Sequence, residues 1–199
     1  MAPLAHPRIV YLHGFNSSPG SRKAQQMAAF MQGHGLADRF ICPALPHRPS
    51  LAVAAVEALL DAHPETTCFV GSSLGGFYAT HFAERYGARA VLINPAVDPH
   101  ESLRAYLGDQ QNLHSGERYR LTEEHLAEWQ ALNTEPAGLE RYLLLLETGD
   151  EVLDYRVAMK RYAGARQVVV EGGDHTLQSF AHHLARMLAF AGLPSVPSM

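Results

Sequence analysis

Short apolar runs alternate along the chain with longer segments whose apolar residues recur at helical spacing. The runs show little of the strict alternation of a half-exposed strand, which is typical of strands buried on both faces of a sheet. Six such runs lie at residues 8–14, 40–45, 66–71, 88–95, 141–149 and 165–173. Helical patterns lie between them at residues 20–32, 50–62, 74–86, 151–163 and 176–191.

This alternation predicts an α/β fold. Strand–helix–strand units in one sheet cross over with a right hand, so successive strands run parallel and helices cover both faces of the sheet. We therefore expect three layers around a six-stranded parallel sheet, with the strands in the order second, first, third, fourth, fifth, sixth.

Residues 97–140 interrupt the pattern, because they separate the fourth and fifth runs by far more than one helix and contain no strand signal. One helix is predicted to start near Pro99, and another to follow Thr122, a residue that suits an N-cap. We interpret this segment as a helical insertion in a single domain spanning residues 1–199. We also expect it to act as a cap over part of the functional site.

The composition is that of a folded protein, and it argues against two classes of partner. Of the 199 residues, 47% are hydrophobic and 18% are charged, and the formal net charge is -4. This balance argues against a nucleic-acid partner or an anionic membrane surface. The cysteines, Cys42 and Cys68, form no CxxC pair, and the 12 histidines form no HExxH motif, so neither a metal nor a cofactor is expected.

The sequence shows neither a targeting segment nor a membrane span. Residues 1–14 lack a basic region followed by a long apolar stretch, and no run approaches the ~18 apolar residues that a membrane helix needs. We therefore expect a cytoplasmic protein without stable membrane association. No pattern in the sequence indicates an oligomeric state.

Candidate chemistry follows the predicted strands at the points where they end. Active sites of open parallel sheets lie at the carboxyl ends of the strands. The third run is followed by GSSLGG (71–76), the fifth by Gly149 and Asp150, and the last by GGDH (172–175). A serine, an aspartate and a histidine thus arrive at the same edge of the sheet, in that order along the chain.

The glycines around the two serines favour Ser73 as the reactive one. GSSLG fits a GxSxG turn, in which a sharp strand-to-helix connection holds the central serine in a strained conformation. Ser72 as the centre would need glycine at positions 70 and 74, where the chain has valine and leucine. The alternative is a glycine-rich turn in which either serine is an ordinary helix N-cap.

Four stretches carry a resemblance to a known family: HGF (13–15), GSSLGG, TGDEVLDY (148–155) and EGGDHT (171–176). Together they resemble the α/β-hydrolase superfamily and, more narrowly, the small bacterial YqiA-type esterases, over nearly the whole chain. The resemblance implies a minimal α/β-hydrolase fold without the two leading strands of the superfamily sheet. It also implies a serine esterase with Ser73, Asp150 and His175 as its catalytic triad.

In such an enzyme Ser73 would attack an ester carbonyl and form an acyl-enzyme, with His175 moving the proton and Asp150 orienting the histidine. The backbone N–H groups of Phe15 and Leu74 are expected to form the oxyanion hole. We also expect Asn16 and Ser72 to contact the substrate, and residues 97–140 to restrict the acyl group to short or medium length.

Several alternatives stay open at this stage. The acid has rivals in Glu147, Asp154, Glu171 and Asp174, and Asp150 itself could be only the N-cap of a helix over 151–163. The histidine could belong to a surface loop. The chain could also hydrolyse acyl-CoA thioesters with the same triad, or be a binding protein of this fold without catalytic activity.

Overall fold

The computed structural model describes residues 7–60, 62–112 and 114–194. Its strands are β1 (Arg8–Leu12), β2 (Phe40–Ile41), β3 (Thr67–Ser72), β4 (Arg89–Ile93), β5 (Gly108–Gln111), β6 (Arg118–Leu121), β7 (Tyr142–Glu147) and β8 (Arg166–Val170). Its α-helices are α1 (Arg22–Gly33), α2 (Pro49–Glu57), α3 (Leu74–Tyr86), α4 (Pro99–Ser102), α5 (Glu123–Leu132), α6 (Tyr155–Arg161) and α7 (Phe180–Phe190). Short 3-10 turns lie at Ala37–Arg39, Pro64–Thr66, Leu103–Tyr106 and Leu139–Arg141.

Six of the strands form one parallel sheet in the order β2-β1-β3-β4-β7-β8. The predicted sheet and its strand order are therefore confirmed. The apolar runs were good strand signals because β3 and β7, in the interior of the sheet, are buried along their whole length. Helices on both faces exclude water from these strands.

The two faces of the sheet bury separate cores. Along β1, Val10 and Leu12 face the side covered by α2, α3 and α5, whereas Ile9 and Tyr11 face the side covered by α1 and α7. Each buried Val, Leu or Ile side chain contributes about 1.5–3 kcal/mol relative to an exposed one. Because the six strands are parallel, their carboxyl ends lie at one edge of the sheet, where the connecting loops meet.

The insertion between β4 and β7 differs from the prediction in one respect. Residues 97–140 contain two short strands, β5 and β6, which pair as an antiparallel hairpin. The prediction of a purely helical insertion is wrong, because GDQQ and RYRL are polar and largely exposed strands that carry little apolar signal. The predicted helices do form: α4 starts at Pro99, and Thr122 is the N-cap of α5, with its side chain in a reciprocal capping box with His125.

The hairpin lies against the loop that follows β1. The Asn16 side chain donates to Gln110 Oε1 at 3.1 Å and accepts from the Tyr119 hydroxyl at 2.7 Å. Asn112 Nδ2 donates to the Ser17 carbonyl at 2.8 Å. The insertion is thereby attached at the carboxyl edge of the sheet. Over the described ranges, no helix combines the length and the apolar character that crossing a membrane requires.

Candidate active site

Ser73 lies in a strained turn between β3 and α3. Its backbone has φ 56° and ψ -121°, a region that a residue with a side chain rarely adopts. Its N–H donates to the Ile93 carbonyl at 2.9 Å, and its carbonyl accepts from the N–H groups of Gly76 at 2.8 Å and Ala96 at 3.0 Å. These bonds maintain a conformation that costs about 1–3 kcal/mol.

The glycines on either side of Ser73 are required by close backbone approach. A Cβ at Gly71 would collide with the Gly75 carbonyl, and a Cβ at Gly75 would collide with the Leu12 carbonyl on β1. The GxSxG pattern is therefore a packing requirement of this strand–turn–helix unit. It explains why the serine at its centre, rather than Ser72, occupies the strained position.

His175 connects the serine to an acid. Its Nε2 lies 3.0 Å from Ser73 Oγ, and its Nδ1 lies 2.9 and 2.8 Å from the two carboxylate oxygens of Asp150. Because Nδ1 faces a carboxylate, we assign its proton there, which leaves Nε2 as the acceptor for the serine hydroxyl. The structure therefore brings the serine, the histidine and the acid together from three different strand ends.

Asp150 is held as an anion. Its side chain is only 1% exposed, and its Oδ1 accepts the N–H groups of Val152 at 2.9 Å and Leu153 at 2.8 Å. Burial alone would raise the pKa of Asp150, but the hydrogen bonds from His175, Leu153 and Val152 outweigh it and lower the pKa below its ordinary value. An ionised carboxylate is the form that stabilises a charged imidazole.

Two of the rival acids, Asp154 and Asp174, bind other groups instead of His175. Asp154 is the N-cap of α6 and accepts from the backbone and side chain of Arg156. Asp174 accepts from Thr176 and Gln178. The helix predicted over 151–163 begins only at Tyr155, so Asp150 does not cap it.

Two residues outside the predicted site hold the histidine loop in place. This loop connects β8 to α7 and carries His175. Glu147, at the end of β7, is 1% exposed and accepts the N–H groups of Asp174, Gln178 and Ser179 at 2.8–2.9 Å. Burial would raise the pKa of Glu147, but these hydrogen bonds lower it. A charged residue at the end of an otherwise apolar strand was the available signal.

Asn94 is the second of these residues. It follows β4 with a φ of 39°, and its Nδ2 donates to the carbonyls of Asp174 at 3.1 Å and His175 at 3.3 Å. Its Oδ1 accepts the Glu147 N–H at 3.1 Å. Asn94 therefore links the ends of β4 and β7 to the loop that carries the histidine.

The N–H groups predicted for the oxyanion hole lie beside Ser73. Leu74 opens α3, where the positive end of the helix dipole favours an anion. A Cβ at Gly14 would lie 3.3 Å from Ser73 Cβ, so the Gly14–Phe15 segment passes close to the serine. Within the described part of the chain, neither the Phe15 nor the Leu74 N–H has an acceptor.

His13 braces this segment. Its Nδ1 donates to the Gly14 carbonyl at 3.0 Å, and its Nε2 accepts the Leu45 N–H at 3.0 Å. Burial lowers the pKa of His13, which favours this neutral form. Both nitrogens are occupied, as expected for a structural histidine.

A cleft of about 360 Å³ opens beside Ser73. Ser72, which is 6% exposed, lines it together with Ser73 and His175. Asn16 lies instead around a smaller neighbouring cavity, with its side chain occupied by the hairpin. Contacts of Asn16 and Ser72 with a substrate stay predictions. In the ranges that the structure describes, no three His, Cys, Asp or Glu side chains are grouped to hold a metal.

Comparisons with known proteins agree with this fold. Residues 8–192 match the uncharacterised protein family UPF0227, and the chain belongs to that family. A UPF0227 protein of Serratia proteamaculans is 27% identical over 94% of this chain and 99% of its own length. The mouse alpha/beta hydrolase domain-containing protein 10 superposes with a TM-score of 0.70 at 18% identity, covering 93% of this chain and 89% of its own. A monoacylglycerol lipase from Paleococcus ferrophilus superposes with a TM-score of 0.65 at 15% identity, covering 94% of this chain and 96% of its own. The predicted α/β-hydrolase fold is confirmed, as is membership of the YqiA-like bacterial family that the sequence resembles.

Proposed function

We propose that this member of the UPF0227 family is a serine hydrolase that cleaves carboxylic esters through an acyl-enzyme intermediate. The observation that carries the proposal is the chain of contacts from Ser73 Oγ to His175 Nε2 and from His175 Nδ1 to Asp150, each within hydrogen-bond distance. This arrangement provides a nucleophile, a general base and an acid that orients the base, which together can carry out acyl transfer.

In the first half of the reaction, Ser73 Oγ bonds to the ester carbonyl carbon while His175 Nε2 takes the hydroxyl proton. The imidazolium that forms is stabilised by the Asp150 carboxylate at Nδ1. When the tetrahedral intermediate collapses, the bond to the alkoxy group breaks and the imidazolium protonates the departing alcohol. The acyl group stays bonded to the serine.

In the second half, water attacks the acyl-enzyme. His175 takes a proton from the water as its oxygen bonds to the acyl carbon, and it returns that proton to Ser73 Oγ as the acid departs. In both halves the negative charge on the former carbonyl oxygen would be bound by the N–H groups of Phe15 and Leu74. Losing one such donor typically lowers the rate about 10²–10³-fold.

The size of the cleft supports short or medium acyl groups. Its volume of about 360 Å³ lies near the lower end of the range for small-molecule pockets, about 300–1,000 Å³. The hairpin of the insertion is attached through Asn16 and lines the smaller neighbouring cavity beside Phe15 and Leu74, whereas none of the described residues of the insertion lines the cleft itself. We propose that the insertion acts as a cap that disfavours long chains.

The proposal is tested with p-nitrophenyl esters of two to sixteen acyl carbons and with an active-site-directed fluorophosphonate. Wild type should hydrolyse the short esters and acquire the label on Ser73, as located by peptide mass spectrometry. Ser73→Ala should lose both properties, with kcat reduced on the order of 10⁴-fold or more.

Ser72→Ala is the matched control, because it removes the neighbouring hydroxyl while leaving the GxSxG centre intact. It should retain much of the activity and the label on Ser73. A wild-type protein that turns over no ester and takes no label would favour the non-catalytic binding protein. A chain-length series with equal kcat/KM throughout would contradict the proposed cap.

A further inference from the structure

The cleft beside Ser73 contains a second set of polar groups that the proposed reaction does not use. They belong to the loop after β1 and to the first turns of α1: Ser17, Ser21, Arg22, Lys23 and Gln26. Of the described residues that line the cleft, none is Asp or Glu, whereas Arg22 and Lys23 bring two positive charges. The cleft therefore has a cationic wall.

The two cations are not neutralised by ion pairs. Neither Arg22 nor Lys23 lies within ion-pair distance of a carboxylate in the described ranges of the chain. Lys23 is half-buried, and its Nζ donates to the Thr176 carbonyl at 2.8 Å, which uses one of its three protons. Both side chains thus retain donors for a ligand.

Lys23 keeps its charge at neutral pH. Burial lowers the pKa of the Lys23 ammonium to about 8, and the carboxylates of Asp174, Glu147 and Asp150 oppose a further fall. A bound anion would raise this pKa again. The half-buried position therefore makes Lys23 more responsive to a nearby negative charge than a fully solvated lysine would be.

The placement of these cations is unfavourable in the absence of an anion. The N-terminus of a helix is the positive end of its dipole, where acidic residues stabilise and basic residues destabilise. α1 has 12 residues, no acidic residue in its first turn and no side-chain cap from Ser21. Instead it begins with Arg22 and Lys23. One bound anion would stabilise both the free N–H groups at the start of α1 and these two cations.

A buried hydroxyl provides an independent observation. Tyr11, on β1, is 1% exposed and lines the same cleft, yet its hydroxyl makes no hydrogen bond of acceptable geometry within the described residues, although Ser72 lies close by. Buried hydroxyls without a partner are costly and rare. An anionic oxygen in the cleft would accept from this hydroxyl.

We propose that this cleft recognises a carboxylate carried by the ester substrate, bound by Arg22, Lys23 and the start of α1, with the Tyr11 hydroxyl as a further donor. The inference rests on the proposed ester hydrolysis and names its substrate class: half-esters of short dicarboxylic acids, or short acyl esters of hydroxy acids. In either type a carboxylate a few atoms from the scissile bond extends into the cationic wall.

Two matched substrate pairs test the proposal. Monoethyl glutarate and ethyl pentanoate differ only in a carboxylate that replaces the terminal methyl of the acyl group. 4-Acetoxybutanoate and butyl acetate differ in the same way in the alcohol. We expect kcat/KM for the carboxylate member of at least one pair to exceed that of its neutral partner by about tenfold or more, mainly through KM. Equal or lower values in both pairs would overturn the proposal.

Variants assign the preference to the cationic wall. The measured quantity is the ratio of kcat/KM for the carboxylate substrate to kcat/KM for its neutral partner. Arg22→Gln, at an exposed position, should reduce this ratio about threefold. Lys23→Gln and Tyr11→Phe should each reduce it about tenfold. Lys160→Gln, on the exposed face of α6, is the matched control because it removes the same charge away from the cleft. A ratio unchanged in both Arg22→Gln and Lys23→Gln, or lowered as much by Lys160→Gln, would also overturn the proposal.

Binding to Ser73→Ala separates this inference from the proposed function. Calorimetry should detect monoethyl glutarate bound more tightly than ethyl pentanoate, with the difference reduced by adding Lys23→Gln. Lysine-dependent binding together with no wild-type ester turnover would overturn ester hydrolysis and support the carboxylate site. Turnover that depends on Ser73, without any carboxylate preference in binding, would overturn the carboxylate site alone.

Discussion

The carboxylate of Glu147 accepts the backbone N–H of Asp174 at 2.9 Å and so fixes the residue that directly precedes His175. The same carboxylate also accepts N–H groups from Gln178 and Ser179, on the other side of the histidine. Glu147 therefore spans the loop without touching the imidazole. It is a positioning residue, whose effect on activity would pass through the place of His175.

Glu147→Gln should lower both stability and activity. The amide keeps one acceptor oxygen and presents an NH₂ group to N–H donors, and each lost hydrogen bond to a buried charge costs about 1.5–3 kcal/mol. We expect the free energy of unfolding in urea to fall by about 2–5 kcal/mol and kcat to fall about 10–100-fold, with KM little changed. Glu171→Gln, on the exposed carboxylate that directly follows β8, is the control. Equal effects of the two variants would contradict the positioning role.

Asp150→Asn should reduce kcat on the order of 10³–10⁴-fold, because an amide leaves His175 in the wrong tautomer and removes the charge that stabilises the imidazolium. Asp154→Asn and Asp174→Asn, which alter carboxylates that do not contact the imidazole, should each cost far less. Steady-state kinetics with a short p-nitrophenyl ester measures all three. If Asp150→Asn were nearly fully active while one of the others were inactive, the assignment of the acid would be wrong.

Gly75→Ala should prevent or severely weaken folding, because the added methyl would occupy the position of the Leu12 carbonyl and force β1 away from α3. Gly33→Ala is the matched control: it introduces the same methyl at the end of α1, where nothing lies within 4 Å. We expect that change to be neutral or to stabilise by about 0.4–1 kcal/mol. Thermal unfolding compares the two variants, and a Gly75→Ala protein as stable as wild type would refute the packing argument.

We expect His125 to make the free energy of unfolding depend on pH. The Thr122 N–H donates to His125 Nδ1 at 3.2 Å, so we place the His125 proton on Nε2, which lies 3.0 Å from His47 Nδ1. Burial, then the charges of His47 and Arg48, lower the pKa of His125. The unfolded chain, with a histidine pKa of about 6.5, then binds the proton more readily than the folded chain.

This difference sets the direction of the pH dependence. The contribution of His125 to the free energy of unfolding is fully present above about pH 6.5, and it is lost as pH falls from there towards the lower pKa of the folded state. His125→Gln should therefore reduce the loss of unfolding free energy between pH 7.5 and 5.5. Urea titrations at several pH values measure it. An unchanged or steeper pH dependence in the variant would argue against this assignment.

The parts of the molecule that could be predicted from the sequence are those that produce a recognisable pattern among neighbouring residues. The buried strands appear as apolar runs, and Ser73 could be chosen over Ser72 because close backbone approach excludes side chains at Gly71 and Gly75. The strand-end argument also anticipated that Asp150 and His175 would meet, although they are 25 residues apart. The catalytic role of the three residues stays a prediction.

Other features depend on contacts between segments that are distant along the chain. The hairpin of β5 and β6 is held partly by polar bonds to Asn16, which no apolar pattern records. The support of the histidine loop by Glu147 becomes visible only when the ends of β7 and β8 are placed side by side. The cationic wall likewise requires the start of α1 to lie beside Ser73.

The position of β8 has a consequence for how the protein would lose its activity. β8 forms the outer edge of the sheet, paired only with β7 in the described structure, and its side chains are partly exposed. Ser73, in contrast, follows a strand paired on both sides. Local opening needs least free energy where few contacts must break. Detachment of this edge would carry His175 away from Ser73 while the central strands stay paired. Heating or mild denaturant should therefore abolish the activity before the protein unfolds globally.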